Sequence, residues 1–141
     1  MLYLFDTDAI SDLLRPSPSP AFVDWLHSLE RDQQFTSAIV LGELYKGAFR
    51  SANRDRHLAG IEDNILPRLT VLPFDVQVAR VFGEIRAGLE SRGLPLPDAD
   101  LQIAATAVFH GLTLVTGNLR HFRRIPGLKI SRVFADARGK R

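Results

Sequence analysis

The stretch P-D-A-D-L-Q-I-A-A-T-A-V-F-H-G-L-T-L-V-T-G-N, residues 97–118, decides the fold. Pro97 blocks a helix from running in from before it. Asp98 is a good N-cap, and Asp100 falls in the first turn, where a carboxylate complements the helix dipole. Leu101, Ile103, Ala104, Ala107 and Val108 make an apolar helix whose small residues suit close packing on a sheet. Gly111 is placed to end that helix in the left-handed conformation. Residues 112–115 form a short apolar run, the mark of a strand buried on both faces. Thr116, Gly117 and Asn118 follow at the strand's C-terminal end, which in an open α/β sheet is the ligand-binding edge.

Outward from this stretch, the same alternation recurs. Residues 2–5 read as a buried strand that delivers Asp6, Thr7 and Asp8 to its end, with Asp8 as N-cap of a helix carrying Ile10, Leu13 and Leu14. Ser19-Pro20 starts a second helix. Residues 34–36 read as a weak strand, and Ser37 caps a helix to about Phe49. Residues 53–66 read as a helix, 69–72 as a third strand, and Asp75 caps a long helix ended by Gly93. A last strand falls near 128–130. Short apolar strands alternating with helices predict an α/β fold: a central, mainly parallel sheet covered by helices on both faces, three layers in all.

The 141 residues suit one core. We expect one domain over residues 1–135 and a basic, frayed tail over 136–141. The absence of cysteine excludes disulfides, thiolate metal sites and thiol nucleophiles. No apolar run approaches the roughly 20 residues of a membrane span, and the first residues lack the features of a signal peptide. A cytoplasmic protein without a membrane partner is expected. The net charge of +2 points to no particular partner. From Arg120 onward, however, basic residues far outnumber the single acid, Asp136. Such a segment can meet phosphates or simply be solvated.

Asp6 ends a strand, Asp100 begins a helix, and Glu43 lies one turn or so into a helix that follows a strand. At about 100° per residue Glu43 falls between Ile39 and Val40, among residues expected to face inward. An ion pair with Lys46 or Arg50 is one explanation, and a site is the other. Three carboxylates along one sheet edge repel one another unless a hard cation such as Mg²⁺ or Mn²⁺ holds them. A metal so held can polarise a phosphate oxygen and activate water, which suggests a phosphodiester substrate. His27, His57, His110 and His121 show no metal-ligand spacing, so surface or helix-end roles are expected for them.

Four motifs carry a family resemblance. L-F-D-T-D-A-I-S-D-L-L at 4–14, T-S-A-I-V-L-G-E-L-Y-K-G-A at 36–48, D-A-D-L-Q-I-A-A-T-A at 98–107 and L-T-L-V-T-G-N-L-R-H-F-R-R-I-P-G-L at 112–128 resemble the PIN-domain ribonucleases. They look most like VapC toxins of type II toxin–antitoxin pairs. The resemblance implies catalytic roles for Asp6, Glu43, Asp100 and Asn118, with Asp6 and Asp100 as metal ligands. Asn118 stands where many relatives have Asp. Thr116 matches a site hydroxyl, Asp98 is an auxiliary outer acid or an N-cap, and Asp8 stands where the family often has Asn and is read as an N-cap. The implied activity is Mg²⁺-dependent endoribonuclease cleavage of structured RNA (tRNA or rRNA) by metal-activated water, with Mn²⁺ able to substitute. The implied partners are a VapB-type antitoxin, a second copy of the chain, and promoter DNA through the antitoxin alone.

Two other readings compete. Asp6-Thr7-Asp8 resembles the strand-end D-x-D of haloacid-dehalogenase-type phosphatases, with Asp6 as nucleophile. That reading leaves Glu43 and Asp100 unexplained. A PIN-like module that binds without catalysis is the other.

Overall fold

Residues 1–139 are described by the structure, a computed structural model. The strands are β1 (Tyr3–Phe5), β2 (Gln34–Ser37), β3 (Thr70–Leu72), β4 (Thr113–Val115) and β5 (Lys129–Ser131). They form one sheet in the order β3-β2-β1-β4-β5, parallel at every pairing. β1 is central, with Tyr3 opposite Gln34 on one side and Thr113 on the other. The chain therefore builds outward from β1 in one direction and then, after β3, crosses to β1's other side. Parallel connections follow a right-handed rule, by which crossovers in both directions put helices on both faces of a sheet.

The helices are α1 (Thr7–Leu13), α2 (Pro20–His27), α3 (Ala38–Arg50), α4 (Arg54–Ala59), α5 (Val76–Ser91), α6 (Asp98–His110), α7 (Leu119–Phe122) and α8 (Val133–Arg138). Their starts follow the capping residues. Ser37 accepts from the Val40 N–H and Asp75 from the Val78 N–H, as their positions predict. Gly111 takes φ +67° and ends α6, a conformation that costs a glycine little. No helix among the described residues is long and apolar enough to cross a membrane.

Strand alternation sorts the core. Tyr3 and Phe5 point to one face of the sheet, where Phe22 and Trp25 of α2 meet them and Phe134 of α8 packs on Phe22. Tyr3 meets Trp25 edge-on at 4.9 Å between ring centroids, and Phe22 lies 4.8 Å from Phe134. β4 is buried along its whole length, as its apolar run predicts. Ile103, Ala104, Ala107, Leu112 and Leu114 belong to the same core as Leu4.

Three expectations need correction. The helix expected over 53–66 is α4 followed by a π-helical turn, Gly60–Ile65, and a 3₁₀ turn, Leu66–Arg68. Pro67 has no N–H to continue an α ladder, and the wider turn buries Ile61 and Ile65 together. α7 is a four-residue helix where only a basic segment was expected. The tail expected to fray from Asp136 continues α8 through Arg138, with Phe134 and Ala137 buried and α8 packed on α2. Phe22 supplies the aromatic partner for that packing. Lys140 and Arg141, also assigned to the tail, lie outside the described residues.

Phe134 is 1% exposed. Its truncation to Ala should cost about 3–5 kcal/mol, read from urea unfolding. A cost near zero would mean that α8 is no part of the core.

Candidate active site

Four segments converge at the C-terminal edge of β1 and β4. Their side chains line one small cavity of about 140 Å³: Asp6, Thr7, Asp8, Glu43, Asp100, Ile103, Asn118 and Phe122. Four of these are carboxylates and none is cationic. Buried Ile103 and Phe122 give the cavity an apolar part. A larger groove of about 710 Å³, lined by Leu13, Leu14, Ala48 and Ile61 among others, contains none of these acids.

Asp6 immediately follows β1. Its backbone N–H donates to the Val115 carbonyl at 3.1 Å, extending the β1–β4 pairing by one step. Its Oδ1 accepts from the Ala9 N–H at 2.9 Å, so Asp6 is the N-cap of α1. The cap expected at Asp8 is thereby corrected: α1 begins at Thr7, which places Asp8 in the first turn, lining the cavity. Asp6 is only 5% exposed. Burial pushes its carboxyl up to about 7, aided by the negative charges of Asp8 and Asp100 and opposed by hydrogen bonds from Thr116 and Ala9.

Thr116, at the end of β4, is fully buried. Its side chain bonds Asp6, and its Oγ1 accepts from the Asn118 N–H at 2.9 Å. One hydroxyl thus ties the β4 loop to the β1 acid. Asp100, in the first turn of α6, is also shifted upward. Burial is the largest cause and the charges of Glu43 and Asp8 add to it, against a stabilising contact with His121. His121 Nδ1 lies 3.5 Å from Asp100 Oδ2 and 2.9 Å from Asn118 Nδ2.

Glu43 lines the cavity from α3 yet remains exposed, whereas Val40 beside it on the helix wheel is buried. The inward position expected for it is a position at the rim. Its partner is the Thr7 hydroxyl, which donates to Oε1, and not Lys46 or Arg50. Asp98 departs further from expectation. α6 already includes it, Pro97 holds the cap position, and the Asp98 carboxylate pairs with Arg86 of α5, outside the cavity. Thr7 and His121 are the members that sequence reading missed. Asn118 and His121 are three residues apart, a helical spacing, but α7 is too short to show periodicity.

The donor chemistry fits a hard divalent cation: carboxylate and amide oxygens, no sulfur. As the side chains stand, no three His, Cys, Asp or Glu among the described residues are arranged to hold a metal ion. Glu43 is held by Thr7, and Asp8 Oδ2 lies 4.0 Å from the Arg138 guanidinium.

The parallel sheet thus gathers its acids where β1 and β4 end. The family model described as "PIN domain" matches residues 3–128. The "tRNA(fMet)-specific endonuclease VapC" of Salmonella typhimurium is 43% identical over 103 residues, spanning 73% of this chain and 77% of its own. "Toxin FitB" of Neisseria gonorrhoeae is 36% identical over 126 residues, 86% of this chain and 91% of its own. The solved VapBC2 of Rickettsia felis, bound to a DNA fragment from its promoter, superposes with a TM-score of 0.86 at 31% identity, covering 93% of this chain and 98% of that one. The chain belongs to the PIN-domain family, among its VapC members. That membership replaces the haloacid-dehalogenase reading. PIN ribonucleases generally use a divalent metal.

Asp6 supplies a pH test. Its folded value of about 7 lies above the ordinary 3.8. Between those values the folded chain keeps a proton that the unfolded chain has released, so its contribution to stability falls as pH rises through that window. Asp100 contributes in the same direction, and the neighbouring Asp8, Glu43 and His121 are common to both proteins compared. With chelator present, Asp6→Asn should be more stable than wild type at about pH 8, by an amount on the order of a few kcal/mol, and the difference should shrink towards about pH 5. Thermal unfolding across pH checks this. A difference independent of pH would show that Asp6 does not retain its proton.

Proposed function

We propose that this protein is the toxin of a type II toxin–antitoxin pair, an endoribonuclease that cleaves structured RNA, tRNA or rRNA, with Mg²⁺ as its natural cofactor and Mn²⁺ as a substitute. The observation that carries this reading is the convergence of Asp6, Glu43, Asp100 and Asn118 on one cavity without a cationic side chain. The nuclease names of its VapC relatives support it.

Asp6 and Asp100 are the residues that would hold the cation. When bound, a divalent cation supplies charge for a phosphate oxygen and acidifies water. The chain's own residues do the rest. The Ala9 N–H and Thr116 fix the Asp6 carboxylate. Glu43, exposed at the rim and bonded by Thr7, is in this reading the acceptor of a proton from attacking water. Asn118 adds a neutral amide. Attack in line with the leaving oxygen does not need the RNA 2′-hydroxyl. Arg15, Arg120, Arg123 and Arg138, all exposed, supply positive charge for the RNA backbone.

One domain that includes α8 carries this activity. The partner is a VapB-type antitoxin, since the solved relatives include complexes of toxin with antitoxin, some bound to promoter DNA. Promoter binding belongs to the antitoxin, and the toxin works as a homodimer or within a hetero-oligomer. A cytoplasmic location belongs to the same reading, since RNA is its substrate.

Purified, antitoxin-free protein should cut total cellular RNA into discrete fragments with Mg²⁺ or Mn²⁺, and not with chelator. Asp100→Ala should leave the RNA intact. Intact RNA under every condition, from protein shown to be folded, would favour a binding module without catalysis.

A further inference from the structure

Asn118 is tied down everywhere except about its own amide. Its backbone N–H donates to Thr116 Oγ1 at 2.9 Å, and its carbonyl accepts from the Phe122 N–H at 3.4 Å. The side-chain amide, however, is two-faced. One side offers an oxygen that accepts hydrogen bonds or binds a cation, the other an NH₂ that only donates. A carboxylate at this position would need no orienting partner, because its two oxygens are equivalent. An asparagine that must show oxygen to an acidic pocket needs something to take its NH₂.

The His121 ring is so placed. Asn118 Nδ2 lies 2.9 Å from His121 Nδ1. An amide nitrogen can only donate, so this contact requires Nδ1 as the acceptor and the ring proton on Nε2. The same Nδ1 lies 3.5 Å from Asp100 Oδ2. One nitrogen cannot both accept from Asn118 and donate to Asp100. With the proton on Nδ1, the ring would serve Asp100, and Asn118 would have to reverse its amide and turn its NH₂ to the carboxylates.

We propose that His121 is a positioning residue: Nδ1 takes the Asn118 NH₂ and so fixes Asn118 Oδ1 as the neutral oxygen of the acidic pocket. This rests on the reading of that pocket as a cation site. Partners that orient the groups around a metal typically change affinity by about 10- to 100-fold.

The test measures Mn²⁺ binding by electron paramagnetic resonance of the free ion, with purified antitoxin-free protein at one fixed alkaline pH. His121→Phe keeps a ring and removes the nitrogens, and should weaken Mn²⁺ binding about 10- to 100-fold. His121→Asn, which can place an acceptor where Nδ1 stood, should restore most of the loss. In an Asn118→Asp background, His121→Phe should cause no further loss, because a carboxylate needs no orienting. In the metal-free wild type, ¹⁵N spectra should show Nδ1 without a proton, and His121→Phe should shift the Asn118 side-chain NH₂ signals. Equal losses in both backgrounds, no loss in either, or a proton on Nδ1 would each overturn the inference. Asp100→Asn is the control for the underlying reading. If it abolishes Mn²⁺ binding while His121→Phe does not weaken it, the His121 inference alone fails. If Asp100→Asn binds Mn²⁺ as wild type does, the cation site itself fails and the inference with it.

Discussion

The pairing of β1 with β4 is the contact on which the rest of the site depends. Tyr3, Leu4 and Phe5 lie in register with Thr113, Leu114 and Val115, and the Asp6 N–H carries the ladder one residue further. That last bond fixes where Asp6 stands relative to Thr116 and hence to Asn118. A slip of one residue in this register would turn every side chain of β1 to the opposite face. It would break the Tyr3–Trp25 contact and the Thr116 bond to Asp6 together. The aromatic packing beneath the sheet therefore also guards the geometry above its edge.

The site is held against its own electrostatics. Asp6 and Asp100 are both shifted upward by burial and by one another's neighbours, which is the behaviour of acids kept together by a scaffold. Asp12 is buried in a different setting. Its carboxylate accepts from both the N–H and the hydroxyl of Ser19, and Arg15 lies 3.6 Å away. Asp12 joins α1 to the start of α2 and is satisfied locally. The Asp6 carboxylate instead faces a cavity that it shares with three other acids. Acids gathered on a shared cavity are the pattern expected of chemistry, and a lone carboxylate bonded between two helices that of structure.

The sequence made the strands and most helix starts legible because their signals are local. The buried run at 112–115 needed only its neighbours to be read, and so did the caps at Ser37 and Asp75 and the glycine stop at 111. Asp6 and Asp100 were legible for the same reason: each stands at the junction of elements with clear patterns. The misreadings lie where the answer is set by a residue distant in sequence, or by a single residue's shift. Asp98 looks like a cap until Arg86, twelve positions away, is brought beside it. Glu43 looks inward until Thr7 is seen to hold it at the rim. Asp8 and Asp6 exchange the cap because α1 starts one residue earlier than the pattern suggests. His121 and the two short helices α7 and α8 leave too few residues to display any period. The aromatic core that fixes α8 draws on Phe22, more than a hundred residues before it.

The sheet order has a consequence for the chain as it is being made. β1 is synthesised first and finds β2 soon afterwards, but its other edge stays open until β4 has been made, more than a hundred residues later. Asp6 and Glu43 are present from early on, while Asp100, Thr116 and Asn118 come together with them only through the β1–β4 pairing. A nascent chain can therefore fold one side of the sheet without possessing the site. The architecture separates the time at which the protein begins to fold from the time at which it can begin to act.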